Sequence, residues 1–322
     1  MRLPPIRQLT ADASGIGFFL CQQKEIRSGR NGDFLSVTLL DATGRISAKV
    51  FDEVERLRGE FDEGEFVKVK ARANTFNGRL QLVIENIRRV NPSQDRALGF
   101  REEDCVPTAP RPIEDMWADL ETLVASVEDQ HLQRLLRAVI AGNEAALRVW
   151  PAAQVIHHAY RGGYLEHALK IAGVALMLAR AYEANADLII AGALLHDIGK
   201  LQELAYDGVT SYSREGRLLG HITLGVIMVR DAALAIEGFP PDLLTEVEHL
   251  IVSHHGSRDL GSPIEPMTVE AFILSMADDL DAKIHQVRQA VAEDPNDGEF
   301  TGYHQRLGRV LWKGTKPEGT GR

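Results

Sequence analysis

The spacing of hydrophobic residues changes near residue 90, and this change limits the fold more than any other feature of the chain. Before it, apolar and polar residues alternate: Leu35, Val37 and Leu39 share one side of FLSVTLL, as in a strand with one buried face. After it, apolar residues recur every three or four positions, as in YLEHALKIAGVALMLARAY, which is typical of amphipathic helices. The 322 residues suffice for two domains, and the pattern predicts a multidomain protein with an all-β domain followed by an all-α domain.

The β part has the pattern of a small barrel. The alternation resumes in RISAKVF after the turn DATG, continues in VKVKARA, and ends in RLQLVIENI after the hairpin turn Asn77-Gly78. A helical segment, DEVERLRGEFDEG, separates the third and fourth strands. About five strands with a helix at this position predict a closed barrel.

The run from FLSVTLLDATGRISAKVF to TFNGRLQLVI resembles an OB-fold of the nucleic-acid-binding type. Such folds hold single strands with a basic groove and exposed aromatic rings. The distribution of charge agrees with nucleic-acid binding by this part of the chain. Residues 1–94 carry 15 Lys and Arg against 12 Asp and Glu, whereas residues 95–322 carry 21 Lys and Arg against 34 Asp and Glu. The alternative is that the Lys and Arg side chains on the outer strand faces are ordinary surface groups and that Phe51 helps to close the barrel. The candidate contacts to nucleic acid are Lys49, Phe51, Lys68, Lys70, Arg72, Phe76 and Arg79.

The domain boundaries follow from a Pro-rich, polar segment without periodicity, NPSQDRALGFREEDCVPTAPRPI. We predict an OB-fold domain at 1–92, a linker at 93–114, a helical domain of six to eight helices at 115–292, and a C-terminal tail at 293–322. An apolar patch in the tail packs either on the helical core or on another copy, so a homo-oligomer is one expectation. The patch consists of Leu307, Val310, Leu311 and Trp312.

Three features predict a cytoplasmic protein that does not contact membranes. The N-terminus MRLPPIRQLTADAS lacks the pattern of a signal peptide. No stretch reaches the roughly 18 apolar residues that a membrane span needs. The two cysteines, Cys21 and Cys105, lie far apart and form no CxxC pair, which favours reduced thiols.

The helical part repeatedly places ionisable residues at helix faces or ends that are otherwise apolar, most clearly in GALLHDIGK at 192–200. Burying such groups without partners costs several kcal/mol each. Imidazole nitrogens and carboxylate oxygens together suit Mn, Fe, Zn or Co, so one explanation is a shared metal site. The residues concerned are His167, His196, Asp197, His221, His254, His255 and Asp278.

The order of GGYLEH, LLHDIGK, GH, VSHHG and ADDLDAK resembles the HD-type metal-dependent phosphohydrolases. The resemblance implies two divalent ions, with manganese expected and iron, cobalt, zinc or magnesium as alternatives. It also implies that Lys200 contacts a substrate phosphate and acts with the catalytic pair His196 and Asp197. The first ion would be held by His167, His196, Asp197 and Asp278, with Asp197 able to bridge, and the second by His221, His254 and His255.

Longer stretches, HHAYRGGYLEHALKIA and ELAYDGVTSYSREGRLLGHITLG, together with the OB module ahead of them, are similar to the YhaM-type 3′→5′ exoribonucleases. The similarity implies metal-dependent hydrolysis of single-stranded RNA, and as a further option single-stranded DNA, to nucleoside monophosphates. Asp279 stands where this family more often has an amide, so it is a rival ligand to the preferred Asp278. The residues His157, His158, Tyr160 and Arg161 line the substrate channel or form an ordinary loop.

Two other functions stay open. The same ligand set is similar to that of HD enzymes acting on cyclic dinucleotides or free nucleotides, with the OB module as a regulator. A non-enzymatic single-strand-binding protein is the third interpretation. The sequence has no GxSxG elbow, no catalytic Cys/His signature and no GxxxxGK[ST] loop, which argues against a covalent nucleophile and against work driven by nucleoside triphosphates.

Overall fold

The structure is a computed structural model and describes residues 2–29, 32–76, 78–152, 160–206, 210–294, 296 and 298–314. The described residues form two compact units, the first built mainly from the chain up to Thr108 and the second mainly from Ala109 onward. This division lies inside the segment 93–114, where the sequence predicts a linker.

Five strands of the first unit form a closed barrel: β1 (Ser14–Gly29), β2 (Gly32–Asp41), β3 (Gly44–Val50), β4 (Phe66–Phe76) and β5 (Arg79–Arg89). The order around the barrel is β1-β2-β3-β5-β4. The first half of β1 pairs with β4 and its second half with β2. A register shift between Cys21 and Gln23 separates the two halves. An irregularity of this kind bends a strand, and the bend lets β1 curve around the barrel.

The predicted alternation is confirmed: Leu35, Val37 and Leu39 are buried in the barrel core, as are the inward residues of β3 and β4. A short helix, α1 (Val54–Leu57), lies between β3 and β4 as predicted. Of the predicted hairpin turn, Asn77 lies outside the described residues and Gly78 has a φ of 74°, which suits a tight turn.

The chain after β5 folds onto the barrel. Helix α2 (Pro92–Asp95) is followed by two short 3₁₀ turns, and the buried Phe100 ring lies 5.5 Å from that of Phe18 and 5.6 Å from that of Phe66. Asp95 is fully buried and accepts hydrogen bonds from Arg88 and Lys68. Residues 92–106 therefore complete the first unit, although their sequence is polar and lacks periodicity.

Eight helices are described in the second unit, within the predicted range of six to eight: α3 (Ile113–Ser126), α4 (Gln130–Leu147), α5 (Gly163–Tyr182), α6 (Ala186–Leu195), α7 (Lys200–Glu203), α8 (Arg214–Leu234), α9 (Pro241–Ser253) and α10 (Val269–Glu293). A small hairpin, β6 (Leu204–Tyr206) and β7 (Thr210–Tyr212), separates α7 from α8. None of the described helices has the length and apolarity needed to cross a membrane.

Candidate metal centre

Helix α6 supports the middle of the candidate centre. The side chain of Asn185 caps its first turn, and the residues from Leu188 to Leu195 are buried on every side. A helix that is apolar all round must lie in the interior. His196 and Asp197, the first residues after it, are therefore placed inside the domain and are themselves buried.

Two glycines bring the next ligand beside this pair. A side chain at Gly199 would place its first carbon 1.9 Å from the backbone oxygen of His221, so only glycine permits this approach of the two segments. Gly220 interrupts α8 with a φ of 71°, a left-handed conformation that favours glycine. The break directs His221 toward Asp197 and releases its backbone N–H from the helix.

The ionisable side chains predicted as metal ligands converge in two groups. In each group one nitrogen or oxygen atom per residue lies within 4.8 Å of the others. Asp197 lies between the groups: its Oδ2 is 3.3 Å from His196 Nε2, and its Oδ1 is 3.5 Å from His221 Nε2. The first group is His167, His196 and Asp278, and the second is His221, His254 and His255.

The ring orientations of four histidines are fixed by acceptors on Nδ1. The Nδ1 of His196 lies 3.0 Å from the Ala193 oxygen, and that of His254 lies 2.6 Å from the Ile251 oxygen. Carboxylates do the same elsewhere, since His167 Nδ1 lies 2.9 Å from Asp281 Oδ2 and His221 Nδ1 lies 3.1 Å from Glu203 Oε1. These oxygens only accept, so each Nδ1 donates. The Nε2 atoms of His196, His221 and His254 then turn a lone pair toward Asp197.

Several buried atoms at the centre make no hydrogen bond to any residue that the structure describes. They are the Nε2 atoms of His196, His221 and His254 and the Oδ1 of Asp197. Buried polar atoms are normally satisfied, and three imidazole lone pairs cannot satisfy one another. A divalent cation fits this donor set, because neutral imidazole and carboxylate are its usual ligands.

The ionisation of His254 and Asp197 matches cation binding. Burial, followed by the neighbouring His196 and His255, lowers the pKa of His254 well below its usual value, which keeps the ring neutral. Burial disfavours charge on Asp197, but Lys200 and His196 hold the pKa of that carboxyl well below its usual range. For His167, burial is outweighed by the hydrogen bonds to Asp278 and Asp281, which raise its pKa to about 9, so a cation that binds this ring displaces a proton from it.

The two adjacent aspartates of α10 face different ways. Asp278 Oδ1 lies 3.3 Å from His167 Nε2 inside the centre, whereas Asp279 is on the outer surface and accepts a 2.6 Å hydrogen bond from Lys283. Lys200, predicted to contact a phosphate, is buried and donates a 2.6 Å hydrogen bond to Asp197 Oδ2.

Two family models match the chain: the HD domain at residues 164–283 and the OB-fold nucleic acid binding domain at residues 22–90. The 3′-5′ exoribonuclease YhaM of Bacillus subtilis (strain 168) is 34% identical over 269 residues, which cover 83% of this chain and 84% of the relative. This chain belongs to the YhaM family. The family member from Oceanobacillus iheyensis is 34% identical over 289 residues, covering 88% of this chain and 89% of that protein.

A solved OB-fold domain of replication protein A from Methanococcus maripaludis is also similar. It is 22% identical, covers 28% of this chain and 96% of its own, and has a TM-score of 0.23. A TM-score this low carries no weight, so membership of the YhaM family rests on the relatives. The HD domain implies dependence on a divalent metal.

The barrel residues predicted to bind nucleic acid fall into two classes. Phe51, Arg72, Phe76 and Arg79 are exposed, and the half-buried Lys49 lies over the Phe34 ring, 5.4 Å from its centre. Others are held by carboxylates: Lys70 lies 2.9 Å from Glu85 on the surface, and Lys68 lies 3.1 Å from the buried Asp95. Of the predicted channel residues, His157 and His158 lie outside the described residues, and Arg161 is half-buried just before α5.

Sequence reasoning missed three residues near these sites. Glu203 and Asp281 contact histidines predicted to be ligands, and the Phe34 ring lies 5.7 Å from that of Phe51. Asp281 has a sequence signal, since it lies three positions after Asp278 on the same helix face. Nothing in the sequence connects Glu203 with His221, because the break at Gly220 brings them together.

Proposed function

We propose that this chain hydrolyses single-stranded RNA from its 3′ end and releases nucleoside monophosphates. The observation that carries the proposal is the position of Asp197, whose two oxygens face two separate groups of imidazole nitrogens. The relatives are named as 3′-5′ exoribonucleases, and the barrel that precedes the centre matches a nucleic acid binding model.

We assign two cation positions to the centre, with Asp197 common to both. Manganese suits the mixture of imidazole and carboxylate, and iron, cobalt, zinc or magnesium are the alternatives to be tested. Divalent cations at such paired sites polarise a phosphodiester and lower the pKa of water toward about 7. The first position is formed by His167, His196, Asp197 and Asp278, and the second by Asp197, His221, His254 and His255.

The protein itself holds the proposed ligand atoms rigidly. The buried turn after α6 and the hydrogen bonds on Nδ1 hold the ligand atoms in place before any substrate arrives, which reduces the reorganisation that catalysis requires. The centre reaches solvent at His255, which is partly exposed, and at the edge of Asp278. We therefore place the scissile phosphate on this side.

Lys200 has a positioning role in this proposal. Its ammonium group fixes Asp197 Oδ2 and balances the negative charge of that buried carboxylate. A contact between Lys200 and a phosphate, as the family resemblance implies, requires the ammonium group to leave Asp197.

The barrel is proposed to hold the strand through exposed aromatic rings and nearby cations. Bases of any sequence stack on aromatic rings, and backbone phosphates pair with Lys and Arg. Lys68 is left out, because its partner Asp95 gives it a structural role. The proposed set is Phe34, Lys49, Phe51, Lys70, Arg72, Phe76 and Arg79.

The experiment is a time course with a 5′-labelled single-stranded RNA and Mn²⁺. We expect successive shortening from the 3′ end, release of nucleoside monophosphates, and a loss of at least about a hundredfold in rate for Asp197→Ala. A single-stranded DNA of the same sequence tests the second substrate. Wild-type activity in Asp197→Ala would refute the metal assignment, and preferential cleavage of a cyclic dinucleotide or a free nucleotide would refute the nuclease assignment.

We also propose a cytoplasmic location and self-association. Cys21 and Cys105 are both free thiols, as is usual in a reducing compartment. Self-association is supported by the exposed apolar residues of the second unit, among them Trp312 in the tail.

A further inference from the structure

The outer face of α10 carries a continuous apolar stripe. Its six side chains are between 36% and 59% exposed. At 100° per residue they lie within an arc of about 120°, and they extend over roughly 27 Å of helix. We call them the α10 stripe: Val269, Phe272, Met276, Leu280, Ile284 and Val287.

The other face of α10 is already used. Ala271, Leu274 and Ala277 are buried in the core of the helical unit, and Asp278 faces the metal centre. The α10 stripe is therefore additional to what the fold of a single chain requires. Exposed apolar surface of this extent is uncommon on a monomer and marks an interaction site.

The spacing within the α10 stripe is the same in both directions. The intervals along the chain are three, four, four, four and three residues, so the pattern is symmetric about position 278. An antiparallel copy of the helix, centred at this position, sets Val269 against Val287 and Phe272 against Ile284. At the centre, Met276 meets Leu280 of the other copy. A two-fold interface needs this kind of self-complementary patch.

The area and the charge of the α10 stripe are also suited to a second copy. With about half of each side chain exposed, and side chains of the order of 150–200 Å², the stripe offers roughly 500 Å². Two copies then bury about 1,000 Å², the lower bound for a specific interface. Within the arc, residues 269–292 include one charged side chain, Lys283, and it is paired with Asp279 at 2.6 Å. Two copies therefore meet without opposing like charges.

We propose that two copies of this chain pair through the α10 stripe in an antiparallel, two-fold arrangement. The proposal gives the self-association proposed above a location. It does not depend on the nuclease activity, so the tests below measure mass and cross-linking, and a failure of the proposed RNA hydrolysis leaves them unaffected.

The first test is the mass of the full chain by light scattering after size exclusion, at micromolar concentration. We expect an even multiple of the chain mass for the wild type and half of that mass, or a single chain, for Met276→Lys. The matched control is Leu234→Lys, because Leu234 on α8 is 73% exposed and lies off the stripe. Circular dichroism of both variants establishes that they are folded.

The second test is orientation. Cys21 and Cys105 are buried, so cysteines introduced at the surface react alone. We expect the double variant Val269→Cys with Val287→Cys to form disulfide-linked dimers under mild oxidation, and neither single variant to do so. Equal cross-linking of a single variant overturns the antiparallel arrangement. A monomeric wild type, or a Met276→Lys variant of unchanged mass, overturns the proposal and leaves the α10 stripe as a site for a different protein.

Discussion

His221 and Glu203 are joined twice: the backbone N–H and the ring Nδ1 of His221 lie 3.0 and 3.1 Å from the same oxygen, Glu203 Oε1. Glu203 thus caps the part of α8 that begins after Gly220 and also sets the tautomer of the ring. Since burial is outweighed by the contact with His221, the pKa of Glu203 is lowered and the carboxylate stays charged. A carboxylate behind a histidine ligand orients the ring and raises its basicity.

We expect Glu203→Ala to weaken cation binding at the second position by about 10–100-fold and to leave the first position intact. Titration of the metal-free protein with Mn²⁺ measures this as the loss of one of two sites. Glu203→Gln should recover part of the affinity, because an amide oxygen still accepts from Nδ1. The control is Glu215→Ala, an exposed carboxylate on α8. Unchanged stoichiometry and affinity in Glu203→Ala would show that the second position does not depend on Glu203.

Asp278 and Asp279 provide a comparison between neighbouring carboxylates. We expect Asp278→Ala to lower the rate of RNA hydrolysis by at least about a hundredfold, because it removes a proposed cation ligand. Asp279→Ala should stay within about twofold of wild type, since Asp279 pairs only with Lys283 among the contacts described for it. Initial rates on a 5′-labelled RNA measure both, and the reverse order of the two effects would make Asp279 the ligand.

Lys200→Met separates two roles for this lysine. If Lys200 positions Asp197, as the 2.6 Å hydrogen bond indicates, the variant binds Mn²⁺ about tenfold more weakly even without RNA. If Lys200 instead serves only the substrate phosphate, cation affinity is unchanged and KM rises. Calorimetric titration without RNA, followed by KM at saturating Mn²⁺, distinguishes the two; we expect the first result.

Phe51 tests the strand-binding surface of the barrel. Stacking on an aromatic ring is worth about 1–3 kcal/mol per base, so Phe51→Ala should raise the Kd for a short oligouridine by about 5–150-fold. Phe300→Ala is a matched control, because Phe51 and Phe300 are both 54% exposed and Phe300 belongs to the tail. Fluorescence anisotropy in the Asp197→Ala background measures binding without cleavage. Equal Kd values for the two variants would remove Phe51 from the proposed surface.

Asp95 tests the stability of the first unit. It is fully buried and bonded to Arg88, Lys68 and the backbone of Asn91. We expect Asp95→Ala to lower the free energy of unfolding by about 2 kcal/mol at pH 7, because it removes charged hydrogen bonds from a buried site. Glu85→Ala, which breaks the exposed pair with Lys70, should cost less than about 0.5 kcal/mol. Urea unfolding followed by far-UV circular dichroism measures the free energy of unfolding of both variants.

The pH dependence of the Asp95 effect has a definite sign. The hydrogen bond from Arg88 holds the pKa of Asp95 far below its usual range. A group with a depressed pKa stabilises the fold fully above its unfolded value, near 3.9, and loses this contribution as the pH falls below it. The difference in free energy of unfolding between wild type and Asp95→Ala should therefore be constant between about pH 5 and about pH 7, and it should shrink toward about pH 3. A difference that grows on acidification would contradict the assignment.

The sequence by itself determined the two architectures, because these depend on local spacing, and it supplied the predicted ligand set through its motifs. Period-two alternation around Val37 predicts a strand with one buried face, and the motifs around His196 and His254 carry the family resemblance. The resemblance also favoured Asp278 over Asp279 as a metal ligand. Helix geometry alone leaves both residues open, because the choice depends on which face of α10 packs inward.

Only the tertiary structure decided which groups support that ligand set. Glu203 reaches His221 because Gly220 breaks a helix, and Lys68 is held by Asp95 because residues 92–106 fold back onto the barrel. The α10 stripe is a similar case. Helix α10 is apolar on two faces, and hydrophobic spacing cannot tell which face the chain itself covers. Contacts between residues distant in sequence depend on how whole elements pack, and a local pattern does not contain that information.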